Sequence, residues 1–181
     1  IVFTTIGFDS DGDGLSQSRE AEFGTDPSDW DSDNDGLSDY MEATSNNCLD
    51  PLSDDSDGDG LKDGEEDKNK NAQTDTGETD PCDPDSDNDG LTDGAEVDTY
   101  NTDPLITDSD GDGLADPDEI YITGTSPALF DTDGDGLSDY DEIMVYLTDP
   151  LSMDSDDDGL SDGSEAWTTG TDPLNSDTDD D

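Results

Sequence analysis

One short sequence returns along almost the whole chain. Asp-Ser-Asp-Gly-Asp-Gly-Leu and its close variants start at Asp9, Asp31, Asp55, Asp85, Asp108, Asp131 and Asp154, and a truncated copy starts at Asp177. From Asp85 onward the period is a constant 23 residues, and the earlier steps are 22, 24 and 30. A fixed period in this range marks serial modules, each packed on its neighbours in sequence. Each repeat also carries a Pro landmark: Asp26-Pro27, Asp50-Pro51, Asp80-Pro81, Asp103-Pro104, Ser126-Pro127, Asp149-Pro150 and Asp172-Pro173. The stretch between loop and Pro has room for one or two helical turns. The residue before Pro is held out of the α region, so the helix ends there.

Composition removes the usual way of holding such modules together. Of 181 residues, 27 are Leu, Ile, Val or Phe, about 15%, and 56 acidic residues face 4 basic ones for a net charge of −52. Chains this poor in apolar residues and this charged do not bury an ordinary core. The charge repels nucleic acids and anionic membranes. No apolar run approaches the roughly 20 residues of a membrane span. With no His, zinc and His-dependent chemistry lose their usual ligand or base. Self-repulsion on this scale calls for a multivalent cation as counter-charge.

The repeat supplies ligands for one. D-x-[DN]-x-[DN]-G followed by a closing Glu is a calcium-loop pattern, and seven segments satisfy it. Positions 1, 3 and 5 are Asp9, Asp11 and Asp13 in the first loop; Asp31, Asp33 and Asp35 in the second; and Asp55, Asp57 and Asp59 in the third. They are Asp85, Asp87 and Asp89 in the fourth; Asp108, Asp110 and Asp112 in the fifth; Asp131, Asp133 and Asp135 in the sixth; and Asp154, Asp156 and Asp158 in the seventh. The position 7 carbonyl comes from Leu15, Leu37, Leu61, Leu91, Leu114, Leu137 and Leu160. Position 9 is Asp39, Asp63, Asp93, Asp116, Asp139 and Asp162, with Gln17 replacing Asp in the first loop. The closing residues are Glu20, Glu42, Glu66, Glu96, Glu119, Glu142 and Glu165. Alternate carboxylates wrap an ion, Gly at position 6 turns the chain back, and the Glu adds two oxygens. An all-oxygen, flexible cage with a bidentate Glu selects Ca²⁺ over softer metals and over Mg²⁺. Seven divalent ions would bring the charge from −52 to −38, so further ions are expected. The bland reading is a solvated Asp/Gly linker that binds nothing, but that would not keep Gly, Leu and Glu in register.

The long third repeat holds an insertion over 67–84 with an eighth, weaker loop. Asp67, Asn69, Asn71, Gln73, Asp75 and Glu78 fall at positions 1, 3, 5, 7, 9 and 12, while Ala72 stands where Gly is expected. The units are not EF-hands. Only 11 residues separate Glu96 from Asp108, and Pro interrupts them, which leaves no room for two helices and a turn. The expected fold is mostly irregular: an elongated, solenoid-like array of calcium loops and short helices over 9–181, with little hydrophobic core and one N-terminal strand over 1–8.

At these residues the chain resembles thrombospondin type 3 repeats in their microbial, short-helix form. DSDGDGLADPDEIYITGTSP and DTDGDGLSDYDEIMVYLTDP carry the resemblance, which covers about 9–181. It implies repeats that wrap around Ca²⁺ instead of a core, in secreted or surface-attached spacers often found beside adhesion modules. It also implies that Asp103, Asp149 and their equivalents before Pro supply extra ligands. Departures are Gln17, Ser126 in place of the Asp before Pro, and the absence of per-repeat cysteine pairs.

Cys48 and Cys82 flank the insertion. They are either a disulfide, contributing roughly 3–4 kcal/mol and implying an oxidising setting, or two free thiols. Trp30, Tyr100, Phe130, Tyr146, Met153 and Trp167 recur near the Pro elements, as small inter-repeat clusters or as a binding stripe. Residues 1–8 read as the last strand of an upstream domain, a cap, or a strand donated to a neighbour. The absence of an initial Met reads as a processed chain or a piece of a longer one. With the half-loop at 177–181, the ends suggest head-to-tail contact between copies. The whole reads as a non-enzymatic extracellular calcium-binding structural protein, a surface spacer or filament subunit binding at least seven to eight ions. The alternatives are an acidic calcium buffer or mineral-associating protein, and an adhesin module.

Overall fold

The computed structural model describes residues 7–45 and 48–177. These residues form short helices, turns and bends, with no β-strand among them. The strand expected over 1–8 and the head-to-tail contact through 1–8 and 177–181 fall, apart from Gly7, Phe8 and Asp177, outside the described residues. The chain divides into two compact units, Ile1–Thr99 and Tyr100–Asp181.

The first unit carries α1 (Gln17–Phe23), α2 (Asp39–Thr44), α3 (Asp63–Glu66) and α4 (Asp93–Ala95). The second carries α5 (Asp116–Asp118), α6 (Asp139–Asp141) and α7 (Asp162–Ser164). Each helix starts just after the Leu of a loop. Ser38, Thr92, Ser138 and Ser161 at loop position 8 cap α2, α4, α6 and α7 by accepting an N–H bond from the first turn, which is what a hydroxyl at an N-cap does best. From α4 onward each single turn widens into a π-helical turn that begins on the closing Glu: Glu96–Tyr100, Glu119–Thr123, Glu142–Tyr146 and Glu165–Thr169. The backbone then leaves through a left-handed residue, Gly124 (φ 80°), Gly170 (φ 72°) or, at the equivalent place, Leu147 (φ 62°). Such an exit closes the last carbonyls. Asn101 (φ 60°) takes the same place after Glu96–Tyr100, a residue type that tolerates this region, whereas Leu147 bears there the steric cost that glycine avoids.

Among the described residues the buried apolar side chains are all leucines, the loop leucines of six repeats together with Leu49. Leu15, Leu37, Leu61, Leu91, Leu114 and Leu137 are buried, and Leu160 of the seventh repeat is 39% exposed. Trp30, Phe130, Met153 and Trp167 are at least half exposed. Among them one ring contact forms, Trp167 edge-on to Tyr146 at 6.1 Å between centroids. The leucines cover loop backbones; most of the large aromatic surface faces solvent.

Cys48 and Cys82 form a disulfide with Cα atoms 5.7 Å apart. It closes the first unit around the insertion.

Candidate metal centres

Each loop is shaped by its own carboxylates. The position 1 Asp accepts N–H bonds from among loop positions 4 to 6; Asp131, for example, takes Gly134 at 2.7 Å and Gly136 at 2.9 Å, and Asp154 takes Asp158 at 3.2 Å and Gly159 at 2.8 Å. The position 3 Asp accepts the position 5 N–H through one oxygen, as Asp133 does from Asp135 at 3.1 Å. The position 5 Asp accepts the leucine N–H, as Asp135 does from Leu137 at 2.7 Å. The position 6 glycines all turn left-handed, at φ between 98° (Gly159) and 114° (Gly14), a region that side chains rarely adopt.

This bonding leaves one set of oxygens over. The second oxygen of every position 3 Asp (Asp11, Asp33, Asp57, Asp87, Asp110, Asp133 and Asp156) is buried without a hydrogen-bond partner. Both carboxylate oxygens of Glu20 and of Glu42 are in the same state. In Glu119 and Glu142, one oxygen accepts the hydroxyl of Thr125 (3.2 Å) or Thr148 (3.1 Å), and the other has no donor. All seven closing glutamates are at most 2% exposed. Unpartnered buried carboxylate oxygens are costly and rare in proteins. Burial, followed by the nearby aspartates, pushes Glu42 up to about 9 and Glu66, Glu119 and Glu142 up to about 8. The same causes push Asp33 up to about 7 and Asp57, Asp87, Asp110 and Asp133 up to about 6. Hard, all-oxygen donors without protons or cations to share are the donor set for calcium. The residues present therefore fit such an ion.

The position 9 aspartates have a role that spacing does not suggest. Asp39, Asp63, Asp93, Asp116, Asp139 and Asp162 are fully buried. Each carboxylate accepts both the N–H and the hydroxyl of the position 2 residue of its own loop: Ser32, Ser56, Ser86, Ser109, Thr132 and Ser155. That hydroxyl in turn accepts the N–H of the residue before Pro, for example Asp103 to Ser109 at 2.8 Å. One oxygen thus ties the Pro turn, the loop and the helix together. In the first repeat Gln17 donates to Ser10 at 2.8 Å instead. The signal for this clamp was the unbroken run of hydroxyl residues at position 2. The aspartates before Pro bond their own turns, as Asp103 does with the Leu105 N–H and Asp149 with that of Leu151.

Neighbouring loops meet through acids as well. Asp13 accepts the N–H of Tyr40, Asp59 that of Gly94, Asp112 that of Tyr140 and Asp135 that of Gly163, each one repeat further on. Asp63 of the third loop lies with Asp35 and Glu42 of the second, all buried, their carboxylate oxygens within 4.8 Å of one another. Further groups of the same kind are Asp9, Asp11 and Asp13; Asp31, Asp33 and Asp35; Asp55, Asp57 and Asp59; and Asp85, Asp87 and Asp89.

The insertion loop is bonded differently. Asn69 donates its amide to Asp75 (2.9 Å) and Glu78 (3.1 Å), and Asn71 donates to Asp75 (2.8 Å). Asp67 accepts the Ala72 N–H, and its other oxygen is buried without a donor. Ala72 reaches only φ 57°, well short of the glycines at the same loop position. Amides thus hold the acids that the other loops leave over. Gln73, the expected carbonyl ligand, is exposed.

No curated protein matches the chain. Solved structures match in part, among them the B domain and the BSP domain of a biofilm associated protein. They are 42% and 43% identical over 25% and 24% of this chain, with TM-scores of 0.25 and 0.24, and the match covers 11% and 8% of those chains. The profile of the bacterial TSP3 repeat matches residues 9–29, 31–46, 55–75, 85–105, 108–128, 131–152 and 154–176. By these seven matches, the chain belongs to the bacterial TSP3 (thrombospondin type 3) repeat family.

Proposed function

We propose that the chain is a non-enzymatic, extracellular calcium-binding module in which ions take the place of a core and stiffen an elongated, solenoid-like array, serving as a surface spacer or filament subunit. The observation that carries this is the set of buried position 3 and closing carboxylate oxygens without donors, repeated loop after loop. Asp63, standing with Asp35 and Glu42, supports ions that bind consecutive repeats to each other. Such an ion converts mutual repulsion into cross-linking, which is a mechanical role. Catalysis is disfavoured because carboxylates engaged by calcium cannot exchange protons. The Cys48–Cys82 disulfide supports an oxidising compartment, where calcium near 1 mM suits sites of this class. No helix among the described residues is long and apolar enough to cross a membrane.

The test is small-angle scattering and circular dichroism on metal-stripped protein near pH 8, before and after adding calcium to about 1 mM. The expected result is a gain of ordered signal and contraction to a stiff particle. An equally ordered chain without metal would overturn the reading. A chain that binds calcium yet stays coil-like would favour the buffer role. Exposure of Trp30 (50%) and Trp167 (64%) keeps an adhesin module as the second reading. Alanine at both positions should then abolish binding to cells or glycans.

A further inference from the structure

The chain's few cations are not spread along it. Of its four basic residues, three lie at Lys62, Lys68 and Lys70, and two of these reach the second loop. Lys70 stands at the fourth position of the insertion loop, in a left-handed conformation (φ 59°). Its ammonium donates at 3.1 Å to the carbonyl of Gly36, 34 residues earlier. A Cβ added at Gly36 would collide with that ammonium. Lys62 donates at 3.4 Å to the carbonyl of Asn34, two residues before, and at 2.6 Å to Asp54. Lys68, by contrast, bonds the carbonyl of Gly77 within the insertion itself.

The loop they reach also differs inside from four of the others. In four other loops the outer oxygen of the position 5 Asp accepts an N–H from the next repeat. In the second loop that oxygen, on Asp35, is buried and without a donor. Asp35, Glu42 and Asp63 converge there. Lys70 opposes the upward push that burial and the surrounding aspartates exert on Asp35. An ammonium is thus fastened to the backbone of a loop on which three buried acids converge.

We propose that Lys70 is a tethered counter-ion of the second loop, which lowers that loop's affinity for calcium, so that the junction of the second and third repeats releases its ion at higher calcium than it would without that charge. This rests on the calcium reading above. Coulomb's law for a unit charge and a divalent ion about 8 Å apart in water corresponds to roughly a fivefold change in affinity. The insertion would then be a regulatory element, setting where the array loosens.

The two tryptophans make this measurable in the whole chain. Trp30 directly precedes the second loop, and its carbonyl accepts the Asp39 N–H at 3.1 Å. Trp167 lies in the π-helical turn of the seventh repeat. Calcium alone is titrated into metal-stripped protein, reading Trp30 in a Trp167→Phe background and Trp167 in a Trp30→Phe background. Lys70→Met and Lys70→Gln should both tighten the Trp30-reported site about fivefold and leave the Trp167-reported site unchanged. Lys70→Gln keeps a donor for Gly36, so it separates charge from anchoring even where Lys70→Met disturbs the insertion. Lys68→Met removes the same charge away from the loop and should change neither site. Unchanged or weaker binding at Trp30 in Lys70→Gln would overturn the proposal, and so would an equal effect of Lys68→Met. A response at Trp167 with none at Trp30 would also overturn the proposal while leaving the calcium reading standing. Silence at both tryptophans would overturn the calcium reading and the proposal with it.

Discussion

Stripping the chain of metal should make its fold depend on pH in the direction opposite to that of most proteins. Glu42 is pushed up to about 9 and Glu66, Glu119 and Glu142 to about 8 by burial first and by neighbouring acids second. A carboxyl whose value is raised on folding favours the folded state below its unfolded value, 4.5 here, and loses that contribution as pH rises toward the folded one. Between pH 5 and pH 8 each of these groups gives up about 4 kcal/mol, three pH units at about 1.36 kcal/mol each. Two of them together reach about 8 kcal/mol, which is comparable with the whole stability of a typical domain. Metal-stripped protein should therefore be compact near pH 5, just above its pI of 4.1, and expanded near pH 8. Calcium at about 1 mM should restore compactness at pH 8, because the ion supplies the charge that protons supply in acid. Scattering and far-ultraviolet circular dichroism read both states. A metal-stripped chain as compact at pH 8 as at pH 5 would refute the reasoning.

Ser86→Ala removes a 2.6 Å hydroxyl bond to the buried Asp93 and should lower stability in saturating calcium by about 1.5–3 kcal/mol, read by thermal melting. Leu147→Gly relieves a left-handed leucine (φ 62°) that is 69% exposed. It should stabilise the second unit by about 1 kcal/mol, and a lower melting temperature would contradict this account of the exit turn. Reducing Cys48–Cys82, which closes a 34-residue separation, should cost the first unit about 3–4 kcal/mol, read by denaturant unfolding with and without reductant.

The sequence alone determined the framework: where the loops lie, that glycine must turn them at position 6, and that Pro limits each helix to a few residues. All of these follow from contacts within about a dozen residues, where spacing fixes geometry. It determined the carboxylate surplus too, because no rearrangement of four basic residues can answer 56 acidic ones. Only the tertiary structure decided which oxygens are left over. Position 9 looks like one more inward carboxylate of its own loop. In the fold its oxygens are taken by the position 2 hydroxyl and amide, and Asp63 stands beside Glu42 of the loop before. It also decided that Lys70 meets Gly36 while Lys68 does not. Neighbours in the sequence diverge here, because their partners are set by how the insertion folds back across some 34 residues, a contact that local spacing cannot encode.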